Sequence, residues 1–182
     1  MVYNSYEIAD IIGVNVSTVK RWADSGKIGC YKTKGGHRKF YLKHLREFIK
    51  SDQSTITNIN LSNLVGTNKK LIEAIDRADS KVLADYSYKA LIDRGGYKFL
   101  SLMNSLIIKG YPYYFIFDDI IIPVLKKIGV QWSKGKLSIT QEHLVSEVIK
   151  KFVMNLNSDS HKKNHNLEAY CFTLINDKHD LP

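Results

Sequence analysis

A chain of 182 residues makes one large domain or two small ones, and 44% hydrophobic with 11% aromatic residues is ample for a packed core. The net charge of +9 is unevenly placed: residues 1–50 hold ten Lys and Arg against four Asp and Glu, and the rest hold seventeen against fourteen. A basic head on a nearly balanced body points to a polyanion as the partner of the head. The two cysteines, Cys30 and Cys171, form no paired motif, which argues against a disulfide framework or a zinc site and fits a reducing compartment. The N-terminus has no basic segment followed by an apolar run, so no signal peptide is expected. The most apolar stretch, Tyr113 to Leu125, is broken by Asp118 and Asp119 and is shorter than the roughly 20 residues of a bilayer span. A cytoplasmic protein with no membrane partner is expected.

In the head, Asn4 or Ser5 caps a first helix through Ile12, and Gly13 stops it. Asn15 or Ser17 caps a second helix through Ala23. Ala9, Gly13, Val19 and Trp22 are the positions where two short helices touch, the arrangement of a helix-turn-helix. The outer face of the second helix then carries Ser17, Thr18, Lys20 and Arg21, which reach base edges and phosphates. After Gly26, the stretch Tyr31 to Tyr41 places Gly35-Gly36 between two alternating segments, a tight hairpin. Its tip is basic, with Lys32, Lys34, Arg38 and Lys39 beside His37, and Tyr41 follows. That is a wing for the sugar-phosphate backbone or minor groove. Leu42, Leu45, Phe48 and Ile49 repeat at helical spacing and close the small core.

Residues 5–49 resemble the winged helix-turn-helix of the MerR family, in the subgroup whose wing reads Gly-Gly-His-Arg-Lys/Arg-Phe, met here at Gly35 to Phe40. The resemblance implies a double-stranded DNA operator as partner and a homo-oligomer, dimer or tetramer, as the working unit. The DNA-binding set it implies is Ser17, Thr18, Lys20, Arg21, Lys34, Gly35, Gly36, His37, Arg38, Lys39 and Tyr41.

Residues 51–66 are rich in Ser, Thr and Asn and suit a connector between the head, residues 1–50, and a body, residues 67–156. From about Asn68 the apolar period becomes helical. Leu71 to Ile75 give one helix; Val82 to Ile92 give a second, stopped by Gly95-Gly96. Phe99 to Ile108 give a third, short piece. Pro112 begins a long helix ending near Trp132, and Pro123 inside it should kink it. A last helix runs from Ile139 to about Asn155 with Leu144, Val145, Val148, Ile149 and Phe152 inward. The expectation is a mainly α protein: the winged head, then a four-helix bundle with one extra short element. No hydrolytic motif, metal-binding helix or phosphate-cradling glycine loop appears, so no enzyme is expected.

The stretch Trp132 to His143 joins a flat indole to a polar turn and a carboxylate beside an imidazole. Ser138 and Gln141 have the spacing of a capping box, which starts a helix at about Ile139. Glu142 and His143 then lie in its first turns. Such a group could cover the face of a flat cofactor; equally, Trp132 could be a core aromatic and Glu142 and His143 solvated residues.

The body resembles the helical cap that precedes cobalamin-binding domains in methionine synthase and in light-responsive repressors of the CarH and LitR type. The specific part is a Trp, nine residues, then Glu-His, met at Trp132, Glu142 and His143. The resemblance implies that Trp132 packs on the upper axial group of adenosylcobalamin and that Glu142 and His143 line the same pocket. In light-sensing members a histidine follows the Trp and can take over a cobalt position; here Ser133 stands there, against light sensing through that adduct. Residues 157–182 hold a polar linker, where His161 and His165 read as solvated, and then an apolar strand, Leu167 to Ile175. Asn176 to Asp180 follow it and resemble the Asp/Glu-x-His motif of cobalamin-binding Rossmann-like domains. That resemblance makes His179 the lower axial cobalt ligand and Asp177, or Asp180, the acid that holds it. One strand falls short of the roughly 100 further residues a Rossmann-like domain needs. The expectation is an incomplete domain, with weak or absent cobalamin uptake by the 182-residue chain.

Taken together the chain is expected to be a sequence-specific transcription regulator, a repressor, whose oligomeric state follows adenosylcobalamin and light. The alternative is a MerR-like regulator whose body works without cofactor, through oligomerisation or a partner. A cobalamin-dependent methyl carrier or mutase subunit has no use for a basic wing.

Overall fold

A computed structural model describes residues 2–51, 59–93 and 96–157. The head begins with a short strand, Val2–Asn4 (β1), then two helices, Ser5–Ile12 (α1) and Val16–Asp24 (α2). Asn4 closes a full capping box: its side chain accepts from the Tyr6 and Glu7 N–H groups at 2.8 and 3.0 Å, and its own N–H donates to Glu7 at 2.6 Å. Gly13 ends α1 in the left-handed region at φ 69°. Asn15 caps α2. The wing strands Tyr31–Lys32 (β2) and Arg38–Tyr41 (β3) pair antiparallel, and β1 adds to the far edge of β3 with Tyr3 opposite Phe40. Helix Leu42–Ser51 (α3) closes the head. Its core is Ile8, Ile11, Val19, Ile28, Phe40, Leu45 and Phe48, with Trp22 packed 4.9 Å from Phe48 ring to ring. Each side chain fully buried there contributes about 2 kcal/mol.

The body comprises Ser62–Val65 (α4), Lys69–Asp76 (α5), Ser80–Ile92 (α6), Gly96–Ile108 (α7), Tyr113–Ile116 (α8), Ile122–Ser133 (α9) and Ile139–Asn157 (α10). α8 runs into α9 through a π-helical turn, Phe117–Ile121. Where a kink was expected at Pro123, the helix changes hydrogen-bond pattern: Pro123 has no N–H to donate, and the Ile122 N–H reaches back five residues to the Phe117 carbonyl.

The expected bundle is present, but its members differ in rank from the sequence reading. The stretch read as a short third piece is α7, 13 residues long, and all of Leu102 to Ile108 is buried in it. Seven consecutive buried residues leave its C-terminal half without the one-faced periodicity that marks a surface helix. The short extra elements are α4 and α5. At Gly96 a Cβ would come within 2.9 Å of the Val148 side chain, so the glycine lets α7 approach α10 closely. On α10 the inward stripe is Val145, Ile149 and Phe152; Leu144, expected inward, is exposed, being turned about 100° from Val145.

The connector is also corrected in part. Within residues 59–66, Leu61 is buried, α4 packs on α7, and the Asn60 N–H donates to the Ile11 carbonyl at 2.8 Å. Head and body therefore share a joint. Ile108 of α7 lies in the head's core, the buried Tyr3 hydroxyl shares a hydrogen bond with the Asn104 side chain, and Arg46 lies 4.7 Å over the Tyr113 ring and bonds its hydroxyl. Burial pushes the Tyr3 hydroxyl up to about 12.

Candidate functional site

Two regions carry chemistry. The first is the outer face of α2 with the wing. Ser17 and Arg21 are exposed, and Thr18 and Lys20 are half-buried. The Ser17 hydroxyl and N–H both donate to Asn15 at 2.9 Å, so this residue is set by the cap. Lys20 extends to 5.7 Å from the exposed Tyr6 ring. Val19 and Trp22 turn inward, which fixes this face outward.

The wing turn runs from Thr33 to Gly36. The Gly36 N–H donates to the Thr33 carbonyl at 2.9 Å, and the Thr33 N–H returns to His37 at 3.0 Å. Gly36 sits at φ 76°, where a Cβ is strained, whereas Gly35 does not. Lys34, Gly35, Gly36, His37 and Tyr41 are exposed; Arg38 and Lys39 are half-buried. Tyr31 stacks on Tyr41 at 5.3 Å, and Lys43 lies 5.8 Å over Tyr41. The register places Tyr31 opposite Lys39, hence diagonal to Tyr41, a pair the sequence alternation could have given.

Arg38 does not project freely. Its guanidinium grips Asp24 at the end of α2, Nη2 lying 2.7 Å from both carboxylate oxygens, and Lys32 Nζ lies 3.0 Å from Oδ1. The guanidinium, and Lys32 after it, hold the Asp24 carboxyl below its ordinary value. Asp24, 14 residues before Arg38, is the residue the sequence reading missed here; no local pattern marks a pair so far apart.

The second region is the end of the bundle where α9 passes into α10. The connector closes α9 with two reverse bonds, Lys136 N–H to Gln131 O and Gly135 N–H to Trp132 O, both 2.9 Å, with Gly135 left-handed. The capping box at α10 forms as expected: Ser138 N–H to Gln141 Oε1 at 3.0 Å, Gln141 N–H to Ser138 Oγ at 3.2 Å. Trp132 is 52% exposed, so it is not a core aromatic. Glu142 is held from two sides, by Ser146 Oγ and by His143 Nδ1, both at 2.8 Å. Val130, Ile139 and Leu144 are exposed apolar residues on the same two helices. An exposed indole and exposed aliphatic side chains on the two helices that meet here, with a held carboxylate and an exposed imidazole at the start of α10, are the kinds of group that could cover a large flat ligand with polar substituents. Ser133 is exposed and turns its hydroxyl back to the Val130 carbonyl at 3.0 Å. Asp118 and Asp119 are exposed, as expected of a solvated face. Asp177 and His179, and the strand before them, lie outside the described residues.

Residues 2–53 match the family model described as a helix-turn-helix domain, and residues 68–157 match the one described as a B12 binding domain. The first match falls on the head and the second on the body. A curated relative is the HTH-type transcriptional repressor CarH of Myxococcus xanthus, 22% identical over 171 residues. The match covers 86% of this chain and 57% of the relative, so the chain spans little more than half that protein's length. The two matched domains and this relative are consistent with a CarH-type regulator. No helix among the described residues is long and apolar enough to cross a membrane.

Proposed function

We propose that the chain is a sequence-specific transcriptional repressor, built on the MerR plan, whose oligomeric state follows adenosylcobalamin held against the Trp132 face. The observation that carries this is an outward basic helix and wing in the same chain as an exposed indole at the end of α9 and a carboxylate, held by Ser146, in the first turn of α10. In the head, Thr18, Lys20 and Arg21 are the base and phosphate contacts of α2, with Ser17 beside them. Lys34, His37, Lys39 and Tyr41, around the Gly35-Gly36 turn, meet the backbone of duplex DNA.

In the body, Trp132 would pack its ring on the bound cofactor, and Glu142, which accepts from Ser146, would accept hydrogen bonds from it. Bound adenosylcobalamin would supply a flat corrin and a light-labile cobalt–carbon bond. His179, with Asp177 or Asp180 as its acidic partner, would hold the cobalt. Ser133 offers no imidazole for a light-formed adduct, so a light response in this chain would run by another route. Coupling to DNA is by population shift between oligomers. It is supported by α7, which touches α10 at Gly96 and ends in the head's core at Ile108. The working unit is a homo-oligomer, dimer or tetramer, in the cytoplasm.

The test is an absorbance titration of the natural gene product with adenosylcobalamin. The proposal expects uptake, reduced in Trp132→Ala while DNA binding without cofactor stays unchanged. No uptake by the wild-type protein favours the second reading, in which Trp132, Ile139 and Leu144, all exposed, are a surface for a partner or a second copy.

A further inference from the structure

We propose that Asp24 is a positioning residue for DNA binding: it ties both strands of the wing to the end of the recognition helix. The inference rests on the DNA-binding reading of the head. Two features make Asp24 odd unless it has such a role. It is the last residue of α2, where a carboxylate meets the negative end of the helix dipole. It also lies in the most basic part of the chain, where it would repel phosphate. Lys32 and Arg38 stand directly opposite each other across β2 and β3, a like-charge pair that drives the strands apart. Asp24 accepts from both, gripping the Arg38 fork at 2.7 Å to each oxygen and Lys32 at 3.0 Å. One carboxylate thereby cancels the repulsion within the wing and sets the wing's angle to α2. The bidentate fork and the shared third partner make this a network rather than an isolated surface pair.

Charge and position predict opposite signs, which makes the proposal testable. If Asp24 acts only through its charge, Asp24→Asn removes a repulsive group and tightens DNA binding, most at low salt. If it positions the wing, Asp24→Asn weakens binding to a random-sequence linear duplex, measured by fluorescence anisotropy, by about threefold to fivefold. The thermal midpoint should barely move. In an Arg38→Gln background the same change should alter affinity by less than about twofold, because the fork is already gone. Asp24→Glu keeps the charge and still reaches the fork, so it should return affinity to within about twofold of wild type. Binding by Asp24→Asn as tight as wild type or tighter overturns the proposal. So does an equal loss in both backgrounds, or an Asp24→Glu variant as weak as the Asn one. A wild-type chain that fails to bind duplex DNA at all refutes the reading of the head instead.

Discussion

Tyr3→Phe removes a single oxygen from the joint between the head and the body. Tyr3 is 5% exposed on β1, and its partner Asn104, on α7, is 7% exposed. Deleting the hydroxyl takes from a buried amide the bond it shares with Tyr3, at a cost of about 1 to 3 kcal/mol. The same hydroxyl should also govern alkaline stability. Burial raises its ionisation to about 12, against about 10 in an open chain. Between those values the unfolded chain has lost a proton that the fold still holds. Stability from this group is therefore complete below about pH 10 and falls by roughly 2 to 3 kcal/mol as the pH climbs to 12. Urea unfolding read by far-ultraviolet circular dichroism, at pH 8 and at pH 11, separates the two effects. Wild type should lose more stability between those values than Tyr3→Phe does, so the gap between them narrows at pH 11. Equal losses in the two proteins would show that Tyr3 is not the buried acid, and an unchanged midpoint in Tyr3→Phe at pH 8 would remove the Asn104 bond from the joint.

Gly36→Ala places a Cβ at φ 76° and should destabilise the wing by about 1 kcal/mol with a parallel loss of DNA affinity, while Gly35→Ala should be near neutral; equal behaviour of the two in urea unfolding and anisotropy would contradict the turn described. Ala78 is the one non-glycine residue at positive φ among the described residues, 55°, so Ala78→Gly should raise stability by about 1 kcal/mol, visible as a higher thermal midpoint; a lower midpoint would refute this. Arg21→Ala should weaken binding and lower the slope of log affinity against log salt by about one, and an unchanged slope would remove Arg21 from the phosphate contacts.

Local signals carried far in this chain. The capping box at Ser138 and Gln141, the Gly13 stop and the hairpin at Gly35-Gly36 were legible because each is settled within a few residues, and the two head caps were legible to within two residues, the structure choosing Asn4 over Ser5 and Asn15 over Ser17. Trp132, Glu142 and His143 share a spacing visible in the sequence, and the structure adds that Trp132 is exposed and that Glu142 accepts from Ser146. What was not legible is long-range. β1 is three residues, too short to show alternation, and depends on β3 for its partners. The rank of α7 in the core was hidden because Asn104 and Ser105 interrupt its apolar run and yet are buried. The left-handed Ala78 has no glycine to announce it. Asp24 with Arg38, Tyr3 with Asn104 and Arg46 with Tyr113 join residues 14 to more than 100 positions apart, distances no periodicity spans.

The most direct test of the account is the affinity of the natural protein for its own upstream DNA, with and without adenosylcobalamin, in wild type and Trp132→Ala. The account predicts that cofactor changes the wild-type affinity and leaves that of Trp132→Ala close to its cofactor-free value. A wild-type affinity indifferent to saturating cofactor would contradict it.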